Sequence, residues 1–461
     1  MKKNTIIPLV ASAAVLASAA GGSVSAGQSE NTQMRDITTM ELVRDMGIGI
    51  NLGNTYESCG DWIAQWGDGT VESYETAWGS PVITQKIIEG YADAGFGVLR
   101  VPVAWSNLMA EDYTISPDYI DAVREVVDWA LDCDMYVIMN IHYDGGWFEK
   151  FPTDYENCLA KYSSIWTQLC DAFGDYGDYL MFESQNEELG NWSGLNTATS
   201  YDYVNEINQT FVDIVRSSGG NNSKRHLLIA GYNTDITKTC NSLFKMPEDP
   251  AGRCALSVHY YTPPTFAILE KDESWGKNRE TWGTEYDFSE LNRLMDKMKT
   301  NFVDKGIPVI IGEYGCPKKN KDEESVRLYL KSVCEAAYDR QMCPVLWDIT
   351  NHHYNRNKCE MIDPVLHQQL LEVAGIELPE EMLYGDADSD GVVNSSDASK
   401  VLSEYALTAT GGESILSDEQ FTAADVNMDG VVDSSDASSI LGYYAHISTG
   451  GSGDILEYLK A

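Results

Sequence analysis

Tyr179-Leu-Met-Phe-Glu-Ser-Gln-Asn-Glu187 and Ile307-Pro-Val-Ile-Ile-Gly-Glu313-Tyr-Gly315 each carry a short apolar, strand-like run into a glutamate. A carboxylate so placed leaves a buried strand where the chain turns towards solvent. In a parallel α/β barrel that mouth is where active sites form. Two converging carboxylates are the minimum for glycoside hydrolysis: one protonates the leaving oxygen, and the other attacks the anomeric carbon or activates water to do so. Most of the 71 Asp and Glu residues must be ordinary solvated acids. Either glutamate alone would read that way, and only the pair in its setting points to chemistry.

Working outward, the same kind of apolar run recurs at Met46 to Leu52, Val98 to Trp105, Tyr136 to Tyr143, His226 to Tyr232, Leu256 to Tyr261 and Cys343 to Ile349. With the two opening segments this makes eight candidate strands. Helical periodicity fills Thr84 to Ala94, Pro117 to Cys133, Lys161 to Phe173, Tyr201 to Ser217, Asp287 to Val303, Glu323 to Arg340 and Val365 to Val373. The alternation predicts an α/β fold, a (β/α)8 TIM barrel rather than an open doubly wound sheet. No glycine-rich phosphate loop follows the first strand, which weakens a nucleotide-binding reading.

The 461 residues suffice for one large domain and a small one. Residues 1–26 belong to neither. Lys2 and Lys3, the apolar stretch from Ile6 and the small residues Val24-Ser25-Ala26 read as a signal peptide, so the mature chain is expected to begin near Gly27 and to be secreted. A net charge of −39 opposes nucleic acid and anionic membranes as partners and suits neutral polysaccharide and Ca²⁺. The ten cysteines form no C-x-x-C pair. Their even number permits bridges, but Cys133, Cys170, Cys334 and Cys343 fall in helical or strand-like runs where a buried thiol reads equally well.

Past residues 377–383, a short linker, the composition changes. Residues 384–461 hold fourteen acids against two lysines, and Asp386-Ala-Asp388-Ser-Asp390-Gly391-Val-Val-Asn394-Ser395-Ser396-Asp397 recurs as Asp425-Val-Asn427-Met-Asp429-Gly430-Val-Val-Asp433-Ser434-Ser435-Asp436. Oxygens at positions 1, 3, 5 and 12, a backbone carbonyl at 7 and glycine at 6 for the sharp turn can wrap a hard cation. The expected calcium ligands are Asp386, Asp388, Asp390, Asn394 and Asp397 in one loop and Asp425, Asn427, Asp429, Asp433 and Asp436 in the other. Both loops end on Asp where an EF-hand has Glu, and no proper helix is expected before either. Ala398, Val401, Leu402 and Tyr405 match Ala437, Ile440, Leu441 and Tyr444, a stripe expected to pack one repeat on the other.

Loop and exiting helix, twice over, closely resembles a type I dockerin. The resemblance implies a small all-α module that binds two Ca²⁺ and docks into a cohesin on a scaffold protein, as in a cellulosome. Ser395-Ser396 and Ser434-Ser435 occupy the positions that help read the cohesin in that family, and their identity suggests docking in two orientations.

The barrel, residues 27–376, resembles glycoside hydrolase family 5 over roughly Arg35 to Gly375. The motifs are Asn51-Leu-Gly-Asn54, Leu99-Arg-Val-Pro102, Asn140-Ile-His142, Asn186-Glu187, His259-Tyr-Tyr261, Gly312-Glu313-Tyr-Gly315 and Leu346-Trp347-Asp348. The resemblance makes Glu187 the acid/base and Glu313 the nucleophile. It implies that Arg100 and Tyr261 hold Glu313, that Asn186 binds the sugar 2-hydroxyl, that His142 and His259 are polar site residues, and that Trp347 floors the cleaved subsite. An arginine beside Glu313 is expected to keep it ionised, and that charge to raise the pKa of Glu187. Glu188 stands where the family usually has proline, which makes it an alternative donor. His142, His259, His352 and His353 as metal ligands find no H-E-x-x-H arrangement in support.

Trp62, Trp66, Trp78, Trp147, Trp192, Trp275 and Trp282 fall in expected loops, where aromatic faces can stack on sugar rings or simply pack. Trp129 and Trp166 fall on helical stripes and are expected in the core. The function implied is a secreted retaining endo-β-1,4-glucanase, or the same chemistry on mannan, xyloglucan or xylan. A rival of another class is a catalytically silent glycan-binding module.

Overall fold

The computed structural model describes residues 32–188, 195–378 and 382–460. The proposed signal peptide and Trp192 lie outside them. The chain divides into two compact units, Met1–Glu377 and Leu378–Ala461. Among the described residues no helix is long and apolar enough to cross a membrane.

In the first unit eight parallel strands close on themselves in chain order: β1 (Gly49–Asn51), β2 (Val98–Val101), β3 (Tyr136–Asn140), β4 (Leu180–Glu183), β5 (Leu227–Asp235), β6 (Cys254–Tyr260), β7 (Val309–Tyr314) and β8 (Cys343–Leu346). Each lies on an expected segment. The runs are apolar almost throughout because side chains on one face fill the barrel and those on the other meet the helices. Helices Gln85–Asp93, Pro117–Asp132, Tyr155–Ala172, Thr197–Ser217, Glu285–Asn301, Glu323–Tyr338 and Pro364–Ala374 surround it. Local chemistry sets their ends. Pro117 starts one helix, and Thr284 with Asp287 closes a capping box on another, where Arg279 grips Asp287 with two bonds of 2.8 Å.

Short elements escape the periodicity, helices Asp61–Trp66, Val71–Glu75 and Pro264–Ala267 among them. The β5–β6 connection contains only the short helix Ile236–Thr239, and a hairpin of β9 (Tyr354–Asn355) and β10 (Glu360–Met361) follows β8. The N-terminal end of the barrel is plugged by helix Thr39–Asp45, whose Leu42 and Val43 pack with Met46, Val98, Ile138, Met181 and Ile310. All ten cysteines are free thiols.

In the second unit, helices Ser395–Thr408 and Ser434–Ser448 leave the two acidic loops. Ala398, Val401, Ala437 and Ile440 form its core with Ala387, Ala424, Val426, Val432 and Ile455. Leu402, Tyr405, Leu441 and Tyr444 do not join them: each is more than 40% exposed. A second correction concerns the loop entries. Helix Asp418–Ala424 precedes the second loop, started by a Ser417–Gln420 capping box. Its seven residues are too few for a periodic signal, though the box itself is legible in the sequence.

Candidate active site

Arg100 organises the C-terminal mouth of the barrel. It sits on β2, fully buried, beside Asn51 of β1 in the strand register. Its Nε donates to Glu183 Oε2 at 2.7 Å, Nη1 to Glu313 Oε1 at 2.8 Å and to Asn51 Oδ1 at 2.9 Å, and Nη2 to Asn186 Oδ1 at 2.9 Å. One planar fork thereby fixes groups from β1, β4 and β7. Glu183 also accepts from Ser257 Oγ at 2.7 Å and Asn140 Nδ2 at 3.1 Å. Sequence reasoning misses Glu183. The available signal is a carboxylate inside an apolar strand, where burial demands a partner.

A register shift between Val258 and His259 puts His259 opposite Glu313 on the adjacent strand. His259 Nδ1 lies 2.7 Å from Glu187 Oε1 and 3.6 Å from Glu313 Oε2. Tyr261 Oη donates to Glu313 Oε2 at 2.9 Å. Burial, followed by the Glu313 charge, raises the Tyr261 pKa far above its ordinary value, so the phenol stays a donor. Oxygen atoms of Glu187 and Glu313 lie within 4.8 Å of each other.

His142 and Trp347 form the facing wall, their rings stacked at 5.8 Å and 8°. Burial and then the Arg100 charge push the His142 pKa well down, which keeps the imidazole neutral. Gly53 allows Trp347 its place: a Cβ there would stand 2.5 Å from Asp348 O and 3.0 Å from the indole. The eight expected active-site residues therefore converge on one mouth. His352 and His353 do not join them; His352 Nε2 pairs with Cys316 O at 3.0 Å, and His353 is buried in the loop after β8.

The carboxyl electrostatics differ from expectation. Burial raises the Glu313 pKa despite His259 and Arg100. Burial acts the same way on Glu187, but the His259 hydrogen bond and charge, with Arg100, bring its pKa below the ordinary value. The reason is geometric: His259 bonds the half-exposed acid/base candidate and only approaches the buried glutamate. Glu188 is 8% exposed, and burial followed by the charges of Asp144, Glu187 and Glu149 raises its pKa far above normal.

Of the tryptophans expected in loops, Trp62 and Trp66 instead lie in the short helix Asp61–Trp66 and Trp147 in the 3-10 helix Asp144–Lys150; Trp147 and Trp282 are packed away at 7% and 5% exposure, while Trp62, Trp66, Trp78 and Trp275 are exposed. Trp166 is fully buried and Trp129 packs against the core, as expected.

The acidic loops fit a hard cation. Carboxylate oxygens of Asp386, Asp388 and Asp390 lie within 4.8 Å of one another, and Gly391 takes the left-handed turn at φ +84°. Asp397 is buried and folds back over its loop, accepting from Asp388 N at 3.1 Å and Asn394 N at 2.8 Å; Asp436 does the same with Asn427 N and Asp433 N. Burial and then two backbone hydrogen bonds act on each, and the net shift is upward, with neighbouring acids adding to it. The Asn394 and Asp433 side chains cap the exiting helices by accepting from Ser396 N and Ser435 N.

Residues 61–353 match the family model "Cellulase (glycosyl hydrolase family 5)", and residues 384–443 match "Dockerin type I domain". The chain is 31% identical to endoglucanase B of Clostridium cellulovorans, over 85% of this chain and 88% of that protein. It is 36% identical to a xyloglucan-specific endo-beta-1,4-glucanase of Bacteroides ovatus, over 69% and 66%. Among solved structures it resembles a broad specificity endoglucanase from an uncultured bovine rumen ciliate, at 35% identity and a TM-score of 0.68, covering 74% of this chain and 99% of that one. On these matches the chain belongs to glycosyl hydrolase family 5 and carries a type I dockerin.

Proposed function

We propose that the barrel is a retaining endo-β-1,4-glucanase in which Glu313 is the nucleophile and Glu187 the acid/base. The carboxylate separation carries this reading, because oxygens within 4.8 Å of each other stand in the short range of direct nucleophilic attack, too close to take both a sugar ring and an attacking water between the two groups. Retaining enzymes hold the two groups about 5 Å apart, against roughly 6.5–9.5 Å in inverting ones. Arg100 and Tyr261 aim Glu313 at the anomeric carbon. As that bond forms, Glu187 gives its proton to the leaving oxygen; it then takes a proton from the water that releases the glycosyl-enzyme. Sugar filling the cleft strips water from the half-exposed Glu187, which favours its protonated form. Asn186, fixed by Arg100, is suited to the sugar 2-hydroxyl, and Trp347 to the ring face. The test is stereochemical. Proton NMR of the first products is expected to show the β-anomer, and α-anomer as first product would overturn the assignment.

Substrate preference within β-1,4-glycans belongs to the same proposal. The relatives' names span endoglucanase, xyloglucan-specific glucanase and lichenase. Initial rates on cellulose, lichenan, xyloglucan, mannan and xylan are expected to rank the glucans first.

We assign residues 27–376 to the catalytic barrel, 377–383 to a linker and 384–461 to the docking module of a secreted, scaffold-borne enzyme. Each acidic loop is read as holding one Ca²⁺, which neutralises carboxylates that otherwise repel. The exposed pairs Leu402/Tyr405 and Leu441/Tyr444 occupy matching places on the two helices and, with Ser395-Ser396 and Ser434-Ser435, suit a cohesin bound in either orientation. A pull-down with a cohesin panel, with and without chelator, checks the partner.

A further inference from the structure

β5 breaks its register with β6 just before the catalytic mouth. Ala230 pairs with Ser257 and Asp235 with His259, so the chain advances five residues on β5 against two on β6. The surplus is taken up by a sharp corner in which Asn233 has φ +53° and Thr234 φ +44°. Asparagine tolerates the left-handed region, but a β-branched threonine does so only under strain. Such strain persists where the surroundings over-determine it, and it clusters at active sites.

The surroundings here do over-determine it. Asp235 caps helix Ile236–Thr239 by accepting from Lys238 N at 2.7 Å, and Tyr201 Oη anchors Lys238 O at 2.8 Å. Gly231 packs so closely on Thr239 that a Cβ would stand 2.3 Å from its hydroxyl. Thr234 itself is 1% exposed, and its buried Oγ1 has no hydrogen-bond partner. The corner opens on a cavity of about 370 Å³ lined by Glu187, Asn233, Thr234, His259, Tyr261 and Ile268. The hydroxyl stands close enough to Glu187 to help hold its carboxyl down, behind burial and the larger effects of His259 and Arg100, yet no full hydrogen bond closes.

We propose that Thr234 is a positioning residue for Glu187: its strained corner presents a hydroxyl that, with His259, orients the carboxyl towards the leaving oxygen. A hydroxyl suits this task because it donates to the carboxylate and accepts from the acid. It therefore serves both halves of a cycle in which Glu187 loses and regains its proton. The inference rests on the reading of Glu187 as the acid/base. The charged and titratable groups facing Glu187 are His259, Arg100, Glu313, Tyr261 and Glu188. None of them is altered by a change at position 234.

The full chain carrying Thr234→Val keeps the shape, β-branching and strain of the corner and loses only the hydroxyl; Thr234→Ser keeps the hydroxyl. Both are compared with wild type on carboxymethylcellulose and on a dinitrophenyl β-cellobioside, after a tryptophan-fluorescence melt confirms folding. Thr234→Val is expected to lower kcat on the polymer by about tenfold to a hundredfold, the range a misplaced general acid produces. KM on the polymer and the pre-steady-state burst on the activated glycoside, whose leaving group needs no proton, are expected to hold. The kcat/KM limb that reports Glu187 is expected to move to higher pH, and Thr234→Ser to restore rate and limb together. Equal losses on both substrates, an unmoved limb, or no rescue by serine would reduce Thr234 to a structural corner and overturn the proposal. Glu187→Ala is run in parallel: if it spares neither substrate, the acid/base reading fails first.

Discussion

Arg100 Nε lies 2.7 Å from Glu183 Oε2 with both side chains fully buried, so the guanidinium that steers Glu313 is itself anchored by a second carboxylate. Removing one partner of a buried pair leaves the other uncompensated, at a cost of about 3–5 kcal/mol. Glu183→Ala is expected to lose stability on that order and to lose activity as Arg100 drifts. Glu183→Gln, which can still accept from Arg100, is expected to suffer less. Urea unfolding followed by tryptophan fluorescence measures both, and an unchanged midpoint for the alanine variant would sink the idea.

The two catalytic candidates are expected to separate by leaving group. Glu187→Ala should nearly abolish cleavage of a natural glucan, whose leaving oxygen needs a proton, and spare the first step on an activated aryl glycoside. Glu313→Ala should fail on both because the nucleophile is gone. An exchanged pattern would reverse the roles, and full activity in Glu187→Ala would pass suspicion to Glu188.

Stability is expected to peak on the acid side of neutrality. Burial acts against ionised Asp249, but the Arg216 fork, at 2.7 and 2.9 Å, holds its carboxyl down to about 2. A depressed acid stabilises the fold above its unfolded value of about 3.9, and that contribution is lost as pH falls through the folded value. Glu57 and Asp348 are the opposite case, each pushed up by burial to about 7. Their folded states hold protons more tightly than the unfolded chain, so stability falls as pH rises from about 4 through 7. Melting curves from pH 2 to 9 are expected to peak near pH 4–5, between those windows. Glu57→Gln, a mimic of the protonated acid, should flatten the fall towards pH 8; an unaltered slope would remove Glu57 from the account.

Metal removal can be read separately in the two units, because all eleven tryptophans precede residue 378. Chelation is expected to cut the far-UV helical signal as the acidic module unfolds. The tryptophan spectrum and activity on soluble glucan should stay unchanged. An unaltered helical signal would show that the module folds without Ca²⁺, and a shifted tryptophan spectrum would place a metal in the barrel.

Features written in local order are legible in the chain itself. Unbroken apolar runs ending in polar residues give β1 to β8 their places, and with them the strand ends that carry Arg100, His142, Glu187, His259, Glu313 and Trp347. Oxygen-bearing residues at fixed spacing do the same for the acidic loops. What the sequence hides are relations between residues distant in the chain. Glu183 has a purpose only once Arg100, from another strand, is beside it. Leu402 and Tyr405 share a helical stripe with Val401, but the packing of the two helices buries Val401 and leaves them in solvent. The register shifts on β5 and β6 decide which carboxylate His259 reaches and where Thr234 stands. Periodicity depends on each residue's neighbours in the chain, so the sequence by itself determined the elements and their chemistry. Hydrogen bonds and pKa shifts depend on distances of a few ångströms between strands, and those only the closed barrel decided.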